Sequence, residues 1–135
     1  MKALDSHVLA RFFIEDPDDA QAHKQRPAAM AAMGQRAYIS ITVVLEFEWL
    51  MRGFYKLSVP QTTSVLRALL SIEHLTVKAS LKLEQAELTT ESGMDFADAL
   101  HLLRRGRATG FLTFDQALVK RAAQTGLRPT AELLA

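Results

Sequence analysis

Short β-favouring segments alternate with helix-patterned segments along the chain, and this alternation restricts the fold more than any other feature. In the opening stretch "MKALDSHVLARFF", a short buried strand over residues 1–4 is predicted to lead through Asp5 directly into apolar residues at helical spacing. The later predicted strands are "AYISI", "IEHLTVK", "GFLTF" and "LRPT". Strands that alternate with helices predict an α/β protein in which a central parallel sheet has helices on both faces.

Helix start and stop signals lie between the predicted strands. Asp16 as the N-cap and Pro17 as the first residue predict a helix that Pro27 either kinks or divides into two. Ser40 or Thr42 caps the next predicted helix, "TVVLEFEWLMRGFYK". The remaining predicted helices are "QTTSVLRALLS", "SLKLEQAELTTES", "DFADALHLLRRGRA" and "DQALVKRAAQTG". No repeat or linker interrupts the pattern, so we expect residues 1–135 to form a single domain.

Charge and cysteine content exclude several classes of protein. The net charge of +1 indicates neither a strongly basic nucleic-acid binder nor a partner for acidic surfaces. The absence of cysteine excludes a disulfide scaffold, a thiolate zinc site and a thiol nucleophile. No apolar run approaches the roughly 18 residues that a membrane span requires. We therefore expect a cytoplasmic protein that does not bind a membrane.

Acidic residues lie at or just beyond the carboxyl ends of the predicted strands. Asp5 ends the first strand and Asp115 follows "GFLTF". Asp98 lies in the first turn of its helix, and Glu46 lies about one turn into the helix after "AYISI". Because ligands of open α/β sheets bind outside the carboxyl ends of the strands, these acids are expected to share one sheet edge.

Such a cluster of acids is unfavourable without a cation. Two carboxylates about 4 Å apart repel by roughly 4 kcal/mol at an effective dielectric constant near 20. Mg²⁺ and Mn²⁺ take oxygen ligands and keep room for water and a phosphate oxygen. The acids therefore predict a divalent metal site that can support attack on a phosphodiester.

Each acid also has a purely structural explanation. Asp5 and Asp115 can act as N-caps of the helices that follow them, where the helix dipole favours negative charge. Asp98 can be the acid of a capping box that begins at Asp95. Both explanations remain open for these residues at the level of the sequence.

The helix "TVVLEFEWLMRGFYK" has more apolar residues than one buried stripe requires. The stripe comprises Val43, Phe47, Leu50, Met51 and Phe54. Glu46 and Glu48 flank this stripe on opposite sides, so periodicity does not show which of them joins the acidic cluster. Leu45 and Trp49 form a second apolar side, which indicates either deep burial or a partner.

Four blocks of the sequence resemble those of a known family. "ALDSHVLARFF", "ISITVVLEFEWLMRGF", "MDFADALHLLRR" and "GFLTFDQALVKRA" look like the signature blocks of PIN-domain ribonucleases, and in particular of VapC-type toxins of bacterial toxin–antitoxin systems. The resemblance implies a three-layer α/β/α PIN-like domain with a central parallel sheet. It also implies an endoribonuclease, a hydrolase that uses Mg²⁺ or Mn²⁺ to cut RNA.

The resemblance assigns roles to individual residues. The catalytic and metal-binding acids would be Asp5, Glu46, Asp98 and Asp115. This match selects Glu46 over Glu48. Ser6, His7 and Thr113 would orient carboxylates or waters beside the metal. His7 stands where the family usually has asparagine. It is a tolerated replacement, an added ligand or base, or the mark of a weakened enzyme.

The resemblance also implies partners. These are an RNA substrate, a second copy of the chain in a homodimer, and a cognate VapB-like antitoxin. Leu45 and Trp49 are predicted to contact the second copy or the antitoxin. Candidate phosphate contacts are Arg104, Arg105, Arg107, Lys120 and Arg121, although basic residues near helix ends also favour the dipole. The alternative is a catalytically weak or inactive PIN-fold interaction domain.

Overall fold

The chain forms two compact α/β units, Met1–Ser80 and Leu81–Ala135. The computed structural model describes residues 1–78, 82–83, 85–86, 90, 93–104, 107–126 and 131–134. Each unit contains a small sheet whose strands are all parallel. The predicted combination of helices with parallel strands is therefore confirmed. Within the described ranges, no helix has both the length and the apolar character needed to cross a bilayer.

The first unit contains a three-stranded sheet in the order β1-β2-β3. Its elements are β1 (Lys2–Ala3), α1 (Ser6–Phe13), α2 (Ala20–Met33), β2 (Ala37–Ile39), α3 (Ile41–Trp49), a π-helical turn (Leu50–Phe54), α4 (Val59–Leu70) and β3 (Leu75–Val77). Ala37 in the central strand lies opposite Lys2 on one side and Leu75 on the other. Because β1 and β2 are parallel, their carboxyl ends lie at the same edge of the sheet. Helices α1 and α3 therefore begin at that edge.

Apolar side chains of α1 and α3 form the centre of the core in the first unit. Leu9 and Ala10 of α1 and Phe47 of α3 are fully buried. The ring of Phe13 stacks on that of Phe47 with 5.9 Å between their centroids. This packing holds α1 beside α3, and the candidate site lies at the opposite end of α1, at its first turn.

The first strand and the second helix differ from the sequence prediction. Lys2 and Ala3 are exposed rather than buried, because β1 is a two-residue strand at the edge of its sheet. The second helix begins after Asp19 rather than after Asp16, since the Asp19 carboxylate accepts hydrogen bonds from two amide groups of the first turn. Pro27 neither divides nor ends this helix.

The helix predicted after the second strand changes its geometry along its length. Ser40, rather than Thr42, is its N-cap and accepts a hydrogen bond from the amide of Val43. After Trp49 the backbone continues as the π-helical turn, whose wider repeat rotates the later side chains out of the α-helical phase. Phe54, predicted to lie in the buried stripe, is consequently 64% exposed.

The second unit contains two parallel strands and their helices. Its elements are α5 (Phe96–Leu103), β4 (Phe111–Thr113), α6 (Gln116–Thr125) and β5 (Ala131–Leu133). Phe111 lies opposite Ala131. Of the helix predicted over residues 80–92, the structure describes 82–83, 85–86 and 90, all helical. The predicted strand "LRPT" over residues 127–130 lies outside the described residues.

Helix α4 provides a test of local helix stabilisation. The hydroxyl of Ser58 accepts a hydrogen bond from the amide of Gln61, and the Gln61 side chain accepts one from the amide of Ser58 at 2.9 Å. Ser58→Ala is expected to lower the free energy of unfolding by about 1 kcal/mol, because it leaves an amide of the first turn without its partner. Urea denaturation followed by circular dichroism measures this change.

Ser64→Ala is the matched control for this substitution, because Ser64 is exposed inside the same helix. It is expected to change the free energy of unfolding by no more than about 0.5 kcal/mol. Equal stability of the two variants would show that the capping box contributes nothing.

Candidate metal site

Asp5 links β1 to α1 and is the N-cap of that helix. The amide of Leu4 donates to the carbonyl of Tyr38 at 3.0 Å, which fixes the chain just before Asp5. The Oδ1 atom of Asp5 accepts a hydrogen bond from the amide of Ser6 at 2.8 Å. Its Oδ2 atom lies 3.8 Å from Nδ1 of His7. The capping role therefore uses one carboxylate oxygen and leaves the other facing His7.

Ser6 connects this end of α1 to α3. Its side chain is fully buried, and its hydroxyl donates a hydrogen bond to Oε1 of Glu46. Ligating atoms of Asp5, His7 and Glu46 all lie within 4.8 Å of one another, and all three residues are exposed. Two carboxylates and an imidazole at this spacing provide ligands of the kinds that divalent ions bind. The residues of this cluster therefore fit a divalent metal ion.

The structure distinguishes the two glutamates that periodicity left open. Glu46 faces Ser6 and Asp5. Glu48 is 3% exposed, and its carboxylate lies 2.5 Å from the guanidinium Nε of Arg52. The ion pair compensates for the burial of the Glu48 carboxylate. The sequence contained this signal, because Glu48 and Arg52 are four residues apart, but the sequence analysis missed it.

The other two predicted acids lie in the second unit. Asp98 is in the first turn of α5, where its amide donates to Oδ2 of the N-cap Asp95 at 3.3 Å. Asp115 is the N-cap of α6 and accepts a hydrogen bond from the amide of Leu118 at 3.1 Å. The hydroxyl of Thr113 accepts a hydrogen bond from the Asp115 amide at 3.1 Å. Thr113 thus fixes the backbone that carries Asp115.

The carboxylates of the second unit influence one another electrostatically. Partial burial, and then the negative charges of Asp95 and Asp115, raise the pKa of the Asp98 carboxyl above its usual range. His101 opposes this rise. The direction of the shift means that the negative charge of the Asp98 carboxylate itself is unfavourable at this position. Asp98 thus interacts with Asp115 in the second unit, and Asp5 lies near Glu46 in the first. That all four acids form one metal site stays a prediction.

Four of the five candidate phosphate-binding residues are among the described residues, and these four are on the surface of the second unit. Arg104 and Arg107 are exposed near the end of α5, whereas Arg105 lies outside the described residues. Lys120 and Arg121 are exposed on α6. Each of these four exposed side chains can reach solvent and can therefore contact an anion. Contact with RNA phosphates stays a prediction.

The second apolar side of α3 is partly on the surface. Trp49 is 62% exposed, and Leu45 is half-buried. The indole lies against Gly53, where a Cβ atom would be in ordinary van der Waals contact with Trp49 Cε2 at 3.5 Å. An exposed indole of this kind is available to a partner. Contact of Leu45 and Trp49 with a second copy or an antitoxin stays a prediction.

Comparisons with protein-family models, with curated proteins and with solved structures found no match to this chain. The resemblance to PIN-domain ribonucleases therefore depends on the four sequence blocks.

The raised pKa of Asp98 predicts the effect of Asp98→Asn on stability. The folded protein binds the Asp98 proton more tightly than the unfolded chain does, so wild-type stability falls as the pH rises through the folded-state pKa. Asparagine cannot ionise and lacks this contribution. In the presence of chelator, Asp98→Asn should therefore gain stability relative to the wild type as the pH rises from acid to neutral. Urea denaturation at a series of pH values measures the difference.

Asp18→Asn is the control, because Asp18 is exposed in the turn before α2. It removes the same formal charge from an acid that does not contribute to the pKa shift of Asp98. The interpretation would be contradicted if the two substitutions gave the same dependence on pH.

Proposed function

We propose that this chain is a metal-dependent endoribonuclease of the PIN-domain kind, the toxin of a VapC-type toxin–antitoxin pair. The observation that carries the proposal is the cluster of Asp5, His7 and Glu46, whose ligating atoms lie within 4.8 Å of one another. Two of its residues, Asp5 and Glu46, occupy positions where the four sequence blocks place acids. The three-layer α/β/α arrangement with one central sheet is part of the same proposal.

In this proposal the ion is Mg²⁺ or Mn²⁺, and Asp5, Glu46, Asp98 and Asp115 hold it. The ion, when bound, supplies Lewis-acid chemistry towards a phosphodiester. The chain's own groups orient these ligands. Ser6 holds Glu46 through its hydroxyl, and the hydrogen bond from the Ser6 amide fixes Oδ1 of Asp5.

Electrostatics supports the inclusion of the acids of the second unit. Burial, and then repulsion from Asp95 and Asp115, raise the pKa of Asp98, so the negative charge of this carboxylate is unfavourable without a cation. A divalent ion would relieve this repulsion and keep the carboxylates charged. Asp115 begins α6 with its backbone held by Thr113, which limits the movement of a ligand at that position.

The substrate and partners follow from the same proposal. RNA would contact the exposed cations of the second unit, among them Arg104, Arg107, Lys120 and Arg121. A second copy of the chain or a VapB-like antitoxin would cover Trp49, which is the more exposed residue of the second apolar side of α3. The cytoplasm is the expected location of these partners.

A second candidate is an interaction domain that kept the fold without catalysis. His7, in place of the usual asparagine of the family, and the exposed indole of Trp49 favour this candidate. The two candidates differ in whether the acids are needed for cleavage of RNA. A cleavage assay therefore separates them.

Asp5→Asn and Asp98→Asn are each expected to reduce the rate of Mn²⁺-dependent cleavage of total RNA by roughly 100-fold or more. Loss of a ligand would weaken the metal's stabilisation of the transition state, which is worth several kcal/mol. Each substitution removes one charge and keeps the shape of the side chain. Cut sites and rates are measured by sequencing of RNA ends over a time course, with wild type and variants purified in parallel.

Glu15→Gln is the control, because Glu15 is an exposed acid whose nearby cation is Arg26. It should cleave at the wild-type rate. Full wild-type activity in excess chelator, or equal activity in all the variants, would reject the proposed function.

A further inference from the structure

His7 lies beside Asp5 but does not form a hydrogen bond with it. Its Nδ1 atom is 3.8 Å from Oδ2 of Asp5, which is too long for a hydrogen bond. Two ligands bound to one ion by bonds of about 2.1 Å are themselves about 3.0–4.2 Å apart, depending on the angle between them. The observed separation falls within this range. An ion shared by Asp5 and His7 therefore fits the gap between them.

A third potential ligand, Glu46, lies close to this pair. The Oε1 atom of Glu46 accepts the Ser6 hydrogen bond, and a ligating atom of Glu46 lies within 4.8 Å of those of Asp5 and His7. The three side chains come from the start of α1 and from α3, and the packing of Phe13 on Phe47 joins these helices. The ligands therefore approach the same point from two elements held together by a core.

The exposure of His7 allows it to bind a metal. The His7 side chain is 60% exposed, and the Asp5 side chain is 71% exposed. Across the described part of the chain, the structure records no hydrogen bond from the His7 imidazole. Its recorded contact is the one with Asp5, so the ring can turn towards an ion without breaking a hydrogen bond.

We propose that His7 is a direct nitrogen ligand and that Asp5, His7 and Glu46 bind borderline transition-metal ions such as Co²⁺, Zn²⁺ and Mn²⁺ in preference to Mg²⁺. The reason is the chemistry of the donor set. Imidazole nitrogen suits first-row transition ions, whereas Mg²⁺ prefers oxygen ligands and water. This inference deepens the proposed function, since it specifies the class of ion at the same site.

The test compares His7→Asn with the wild type in the absence of RNA. Isothermal titration measures the dissociation constants of Co²⁺ and Mg²⁺ for the full chain. His7→Asn is expected to weaken Co²⁺ binding by about tenfold or more and to change Mg²⁺ binding by less than about twofold, because only the transition ion gains from the nitrogen. Nuclear magnetic resonance of the imidazole nitrogens should also show the His7 signal shifted or broadened by Co²⁺.

Two further variants test whether the change in metal affinity is specific to the His7 imidazole. His23→Asn removes an exposed imidazole on α2 and should leave both dissociation constants unchanged. His7→Gln replaces the ring with another amide and should reproduce the effect of His7→Asn. The inference is overturned if the wild type binds Co²⁺ no more tightly than Mg²⁺, if His7→Asn weakens both ions equally, or if His23→Asn gives the same loss.

The outcomes also separate this inference from the proposed function. If the protein binds Co²⁺ through His7 but cuts no RNA with any ion, the nuclease proposal fails and the metal assignment stands. If it cuts RNA with Mg²⁺ and His7→Asn leaves the ratio of the two dissociation constants unchanged, the metal assignment alone fails.

Discussion

The hydrogen bond from the buried hydroxyl of Ser6 to Glu46 joins the first turn of α1 to α3, and the geometry of the candidate site depends on it. A buried hydroxyl without a partner would destabilise the fold, so the bond stabilises the core and orients a ligand at once. The apolar contact between Phe13 and Phe47 supports the same junction. Disturbing this junction would move Glu46 relative to Asp5 and His7.

Helix capping and metal binding are compatible at this site because a carboxylate has two oxygens. Asp5 caps α1 through Oδ1 while Oδ2 faces His7, and Asp115 caps α6 through Oδ1. The structural and the functional explanations of these acids are therefore not alternatives. An N-cap fixes one oxygen and so limits the directions in which the other can point, which favours a defined ligand geometry.

The predicted structure and the observed structure differ where local signals compete. Asp16 and Asp19 are both suitable caps ahead of α2, and the cap belongs to Asp19 because its carboxylate reaches two amides. The π-helical turn after Trp49 changes the phase of the helix and exposes Phe54, which a constant period of 3.6 residues does not anticipate. The short strand β1 lies at an edge of its sheet, so Lys2 and Ala3 are exposed, whereas Leu4 just after it is buried.

Local periodicity and capping signals specify the alternation of strands and helices, the acids at helix starts and the position of Asp5 just after the first strand. Packing between helices, which these signals do not specify, places Glu46 against Ser6 and buries Glu48 against Arg52. Only the tertiary structure decided that His7 lies near Asp5 at a distance too long for a hydrogen bond. The reason is that contacts between helices depend on how their side chains pack in three dimensions, which the spacing of residues along one helix does not specify.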